Sequence, residues 1–201
     1  MTDETIDELM GATYRALCKH GYASLRMQDI ADESTKSKAA LHYHYDSKHD
    51  LLLAFLEHLY EQFEDEVTET DDTDPTTELT TFIEQRLTPR DQDTHQEFQT
   101  AILEIKAQAP YDEAYCEQLA KFDRLMHDRI QTLIEEGIDQ GVFKSDLNSD
   151  EIAEFFVTVI NGAHTRHVAV DYSIENTRRM LLEYIDIHIL ADDTATGVVL
   201  E

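Results

Sequence analysis

Apolar residues recur every three or four positions along most of this chain, a spacing typical of amphipathic α-helices. The chain contains only 6 Gly and 3 Pro, and few runs alternate between apolar and polar residues as β-strands do. The pattern predicts, besides the stretch described next, helices at roughly 5–20, 48–63, 76–88, 94–108, 111–140, 148–171 and 174–191. We therefore predict an all-α fold.

Residues 24–45 hold two short helix-like runs separated by a polar turn. Met27, Ile30 and Ala31 are apolar at helical spacing, and Leu41 and Tyr45 repeat the pattern one element later. Ser37 suits the N-cap of the second run. A two-turn helix between neighbouring helices, without a core of its own, is typical of a helix-turn-helix. The exposed side chains would include Lys38, His42 and Tyr43, which can contact nucleic acid.

Neighbouring sequence signals frame this unit. Gly21 suits the left-handed position that ends the first helix. Ser47 and Asp50 form a capping-box start for the helix that follows, and Asn148 with Glu151 does the same later in the chain. Pro110 separates two further helices.

The net charge is −27, from 43 acidic and 16 basic residues, which is the wrong sign for a protein that binds duplex DNA. Residues 1–50 are closer to neutral, with 6 basic and 9 acidic side chains. A dispersed acidic surface suits a cytoplasm of molar salt, where the Debye length is about 3 Å. Mimicry of nucleic acid is the alternative, but the acidic residues are scattered rather than blocked. The sequence therefore indicates a halophilic acidic protein that needs high salt to stay folded.

Other classes of function find little support in the sequence. No apolar run is long enough for a membrane span, and the acidic N-terminus lacks a signal core, so we expect a cytoplasmic protein. Cys18 and Cys116 suit two reduced thiols. His42 and His44 point to different sides of a helix, so no metal site is expected. Without a catalytic motif we predict a non-enzymatic protein that has no cofactor.

The last two helices are apolar over more than one face, which indicates burial against something besides their own domain. A second copy of the chain, forming an isologous two-fold dimer, is the favoured partner; a fully buried core helix is the alternative. The predicted interface residues are Phe155, Phe156, Val159, Ala163, His167, Leu181, Tyr184, Ile185 and His188.

The N-terminal stretch resembles the tetracycline-repressor (TetR) family of transcriptional regulators. The matching residues are Ala12, Leu17, Gly21, Tyr22, Met27, Asp29, Ile30, Ala31, Ser37, Lys38, Leu41, His44, Tyr45, Ser47, Lys48, Asp50, Leu51 and Leu52. Farther along, GVFKSDLNSDEIA leading to INGAHTRH is similar to the stretch that joins the last helices in many members. Strong motifs are confined to the N-terminus.

This resemblance implies a homodimer with a helix-turn-helix DNA-binding head at residues 1–48 and a helical ligand-binding and dimerisation body at 49–201. Such a regulator, most often a repressor, releases double-stranded operator DNA when a small molecule binds the body. The implied DNA-binding residues, with Tyr43 and Lys48 at phosphate positions, are Ser24, Arg26, Gln28, Lys36, Ser37, Lys38, Ala39, Ala40, His42, Tyr43 and Lys48.

The chain departs from the family pattern within this unit. Ala40 replaces a common Thr and His42 a common Tyr, while Thr35 and Lys36 stand where Gly and an apolar residue are usual. The turn is therefore expected to have a different shape. Leu25 replaces a usual Thr, so Ser24 or Arg26 would supply the phosphate contact there.

A ligand pocket would draw aromatic and polar side chains from the body helices. The candidates, each of which could also be plain core, are His95, Phe98, Ile102, Tyr115, Phe122 and Met126.

The alternative to a DNA-binding regulator is an acidic protein-interaction module whose DNA-binding head no longer functions.

Overall fold

The computed structural model describes residues 3–68, 74–88 and 93–191, which are helical almost throughout. The helices are α1 (Asp3–Ser24), α2 (Met27–Asp32), α3 (Lys38–His44), α4 (Lys48–Thr68), α5 (Pro75–Leu87), α6 (Asp93–Lys106), α7 (Glu113–Asp139), α8 (Ser149–Val170) and α9 (Glu175–Tyr184). The all-α prediction is confirmed. Among the described residues, no helix has the length and apolar character needed to cross a bilayer.

The capping signals in the sequence lie where helices begin. Ser37 accepts a hydrogen bond from the Ala40 N–H at 3.2 Å. The Ser47 hydroxyl accepts from the Asp50 N–H at 3.1 Å and donates to its carboxylate at 2.8 Å. Asn148 accepts from the Glu151 N–H. These bonds satisfy N–H groups that a helix leaves unpaired in its first turn, so local sequence defines these starts.

Two helix ends differ from the expectation. Gly21 adopts φ +65° and ψ 168°, a positive φ as predicted, but the chain then makes another helical turn to Ser24. The last helix does not run unbroken to residue 191, because the α-helix changes at Ile185–Ile189 into a π-helical turn. An isolated antiparallel bridge between Phe143 and Leu190 follows, which ties the end of the described chain to the loop after α7.

The chain forms two compact units. The first comprises residues 1–65 and 90–122. Its core contains Met27, Ile30, Ala31 and Leu41 of the helix-turn-helix together with α1 residues such as Leu17. The same core contains Leu51, Leu52, Phe55 and Leu56 of α4 and Ala101 and Ile105 of α6. The predicted boundary after residue 48 thus falls inside this unit, because the head shares its core with α4 and α6. That boundary stays a prediction about function.

The second unit comprises residues 66–89 and 123–201. Its buried residues come from every helix in it, for example Ile83, Leu133, Phe156 and Leu181. The last turn of α7 packs directly on the following loop, since Gly137 leaves room for the ring of buried Phe143.

The predicted dimer residues fall into two groups. Phe156, Ala163, Leu181 and Ile185 are buried within the second unit, and their place at a dimer interface stays a prediction. Nδ1 of His167 lies 3.1 Å from the carbonyl oxygen of Tyr172, just after the end of α8. The residues that remain at the surface or partly exposed are Phe155, Val159, Tyr184 and His188.

Candidate nucleic-acid interface

The helix-turn-helix is built from α2, the turn at residues 33–37, and α3. The inward faces of its helices are apolar: Ile30 and Leu41 are almost completely buried. Because these residues hold α3 by one side only, its other side carries exposed side chains along the full seven-residue helix.

The turn is held by charged side chains of α1. The Glu8 carboxylate accepts a hydrogen bond from the Thr35 N–H at 2.7 Å and lies 3.6 Å from the Lys36 ammonium. Hydrogen bonds from Thr35, with a smaller contribution from Lys36, lower the pKa of Glu8. Thr35 and Lys36 are the positions that depart from the pattern of the resemblance, and here a carboxylate from α1 supports the turn.

A second pair of contacts holds the start of the same turn. Arg15 donates to the Glu33 carbonyl at 2.8 Å, and Lys19 lies 2.6 Å from the Glu33 carboxylate. Two of the basic side chains of the head are therefore engaged within the protein, which reduces the charge that it can offer to DNA.

The exposed face of α3 carries Lys38, Ala39, His42 and Tyr43. Tyr43 is 84% exposed, and its ring lies edge-on to His44 with the centroids 4.9 Å apart. Ala40 is partly exposed next to them.

The predicted DNA contacts at the end of α1 and on α2 are also at the surface. Ser24, Arg26 and Gln28 are exposed, whereas Leu25 is buried in the core. The Gln28 amide donates to the Asp32 carboxylate at 2.7 Å, a bond that pairing with adenine would have to replace.

Three further predicted DNA-binding residues, besides Gln28, have structural partners. Ser37 caps α3, and Lys36 is paired with Glu8. Lys48 donates to the Tyr22 carbonyl at 3.0 Å, with its ammonium 4.7 Å from the centre of the Tyr22 ring. Burial lowers the pKa of Lys48. Sequence spacing places Lys48 at a helix start, but it does not reveal this inward orientation.

The predicted ligand residues lie in different parts of the chain. Phe98 packs on Tyr14 and Phe55, and Ile102 and Tyr115 belong to the same first-unit core. Phe122 stacks on Phe63, while Met126 is buried in the second unit. The side chain of His95 lies outside the described residues. A pocket formed by these residues stays a prediction.

A shallow groove of about 270 Å³ lies between α1 and α4 in the first unit. None of the predicted ligand residues lines this groove; the lining consists of Ile6, Asp7, His58, Glu61, Gln62 and Asp65.

Comparisons with known proteins identify both parts of the chain. Residues 9–55 match the family model of bacterial regulatory proteins of the tetR family, and residues 75–190 match that of the C-terminal domain of BetI-type transcriptional repressors. A search of curated proteins gave no match.

Solved structures agree with these matches. A TetR transcription regulator from Haloarcula marismortui ATCC 43049 is 39% identical, with a TM-score of 0.85 over 92% of this chain and 98% of that one. A transcriptional regulator from Saccharomonospora viridis in complex with choline is 26% identical, with a TM-score of 0.79 over 94% of this chain and 100% of that one. With a helix-turn-helix that exposes one face of α3 and with both family models matched, the chain belongs to the TetR family of DNA-binding transcriptional regulators.

Proposed function

We propose that this protein is a homodimeric repressor that reads operator DNA with α3 and releases it when a small molecule binds its body. The observation that carries the proposal is the exposed face of α3, where Lys38, His42 and Tyr43 lie together on a helix whose opposite side is fixed in the core. An interaction module without DNA-binding function would have no need for this face.

The face offers groups that read base edges. Lys38 can donate to guanine, His42 can donate to or accept from a base edge, and the Ala40 methyl group can pack on thymine. Gln28 can pair with adenine once it leaves Asp32. Each good pair contributes roughly 1–3 kcal/mol of discrimination against a wrong base.

The effector is expected to be an organic cation. The related Saccharomonospora viridis regulator is complexed with choline. In this chain Tyr60, Phe63 and Phe122 form an aromatic cluster, with ring centroids 5.5 Å apart for Tyr60 and Phe122 and 5.8 Å for Phe63 and Phe122. The Lys121 ammonium lies 5.7 Å from the Tyr60 ring, and aromatic faces of this kind also attract quaternary ammonium ions.

Replacing Lys38 with Ala should weaken binding to the specific operator by about 10- to 100-fold, since one base contact of roughly 1–3 kcal/mol is lost. Fluorescence anisotropy with DNA from the gene's own upstream region, at fixed molar KCl, measures this. Lys106→Ala, at an exposed lysine on α6, removes the same charge and should bind like wild type.

Choline and related cations are then titrated into the complex of the wild-type protein with operator DNA. If the wild type binds no specific DNA at any KCl concentration, the proposed function fails; if it binds but no cation releases it, the effector class is wrong.

Phe155→Glu should weaken dimerisation at least tenfold, the equivalent of about 1.4 kcal/mol. Phe155 is 42% exposed, and its ring lies 5.2 Å from that of Tyr184, which contacts His188 at 4.8 Å, so a carboxylate there would charge an exposed aromatic surface. Sedimentation equilibrium measures the constant. Tyr111→Glu, at a tyrosine that is 90% exposed in the first unit, is the control and should remain dimeric. A wild type that sediments as a monomer would contradict the dimer.

A further inference from the structure

The backbone of Tyr22 is held by two other helices at once. The non-helical conformation of Gly21 interrupts α1 immediately before it. The Tyr22 N–H donates to the Glu104 carboxylate of α6 at 2.6 Å. Its carbonyl accepts from the Lys48 ammonium of α4 at 3.0 Å. Residue 22 therefore connects α6 to the first residue of α4.

A larger residue at position 21 would crowd this connection. A Cβ atom on Gly21 would lie 3.1 Å from Glu104 Oε2, and the positive φ there is one that side chains rarely adopt. Glycine at position 21 thus allows the Glu104 carboxylate to reach the backbone. The partly buried Glu104 also favours the charged form of Lys48, opposing the burial that lowers the pKa of that lysine.

The first turn of α4 is fixed from α7 as well. His49 Nε2 lies 2.8 Å from the Asp112 carboxylate, and the His49 ring lies 4.8 Å from that of Tyr115. Tyr115 in turn contacts the Tyr22 ring edge-on at 6.1 Å. The position of α4 relative to α1 is thus set by side chains from α6 and α7.

Lys48 begins a helix directly after the recognition helix, a position where its charge and the free N–H groups of the helix would both attract a phosphate. In the structure this ammonium is instead directed inward, onto the Tyr22 carbonyl and ring. A lysine carries one charge, so binding by the internal acceptors opposes binding by an operator phosphate.

We propose that Glu104 of α6 withholds Lys48 from operator phosphate by holding it at the Tyr22 backbone, so that α6 controls one of the DNA contacts. This inference rests on the proposed DNA-binding function. Glu104 is a positioning residue in this scheme and does not contact DNA.

The test is a double-mutant cycle measured by operator binding at fixed KCl and pH 7. Glu104→Gln keeps an acceptor for the Tyr22 N–H but removes the charge, and should raise operator affinity by roughly fivefold or more, the lower end of typical coupling between sites. Glu97→Gln, at an exposed position on the same helix, removes the same charge and should change affinity by less than about twofold, as for an independent surface site. In a Lys48→Met background, Glu104→Gln should have no further effect.

A second measurement does not depend on DNA. NMR titration of lysines labelled at the ε-carbon should show that Glu104→Gln lowers the pKa of Lys48, since the carboxylate that favours its charge is gone, whereas Glu97→Gln leaves it unchanged. Operator binding by the wild type combined with equal effects of the two glutamine variants, an effect that persists in Lys48→Met, or an unchanged Lys48 titration would each overturn the competition while the proposed function stands. Absence of specific binding by the wild type would overturn both.

Discussion

Gly137→Ala should lower the free energy of unfolding by about 2–3 kcal/mol, the upper part of the range that is typical when a packed core is forced to accept extra volume. A Cβ atom at position 137 would lie 2.0 Å from the Phe143 ring, far inside van der Waals contact. Phe143 is 2% exposed, and the residues on both sides of it bond to Ile189 and Ala191, so the ring has little freedom to move. Urea denaturation followed by circular dichroism at molar KCl measures the loss.

The control for Gly137→Ala is another glycine inside a helix. At Gly11 of α1 the nearest atom to an added Cβ is the Arg15 guanidinium at 3.3 Å, the end of a flexible side chain that is half exposed. Gly11→Ala should be neutral or stabilise by up to about 1 kcal/mol, since alanine favours the helix over glycine. Equal stability of the two variants would show that Phe143 does not pack on Gly137 in solution.

Local signals made most of the fold predictable. Ser37, Ser47 and Asn148 each cap the helix that the sequence assigns to them, because a cap involves residues only two or three positions apart. The inward positions of the helix-turn-helix follow from helical spacing for the same reason. The π-helical turn at Ile185–Ile189 was missed, since its apolar pattern resembles that of an α-helix.

Contacts between distant residues could not be predicted. Glu8 supports the turn at Thr35 and Glu104 binds Tyr22, pairs separated by 27 and 82 positions. With 43 acidic residues in the chain, nothing in the sequence distinguishes these carboxylates from those that only face solvent. A charge at the right distance from a motif is recognisable only after the fold has brought the two together.

The sequence also predicts only part of how side chains are oriented at the interface. Family spacing correctly assigns Lys38 and His42 to the exposed side of α3, because one helix face determines both. The same spacing assigns Lys48 to a phosphate position, whereas the structure turns it toward Tyr22. Orientation there depends on the local competition between a carbonyl acceptor and solvent, which helix periodicity does not encode.

Glu78→Gln should lower the free energy of unfolding by about 3 kcal/mol, since it leaves a largely buried charge without its partner. Glu78 of α5 and Arg129 of α7 form an ion pair at 2.5 Å, and their side chains are only 14% and 15% exposed. Replacing both, with Glu78→Leu and Arg129→Met, should restore stability to within about 1 kcal/mol of wild type, because apolar packing offsets the lost pair. Urea denaturation at low and at molar KCl measures all three proteins.

The dependence of this loss on salt distinguishes a buried pair from the acidic surface around it. Arg179 and Glu183 of α9 form an exposed pair, with side chains 67% and 51% exposed, so Glu183→Gln should cost less than about 0.5 kcal/mol even at low salt and nothing measurable at molar KCl. The cost of Glu78→Gln should persist at molar KCl, since ions do not enter the space between the two side chains. If it faded with salt as the exposed pair does, the Glu78–Arg129 contact would be solvated.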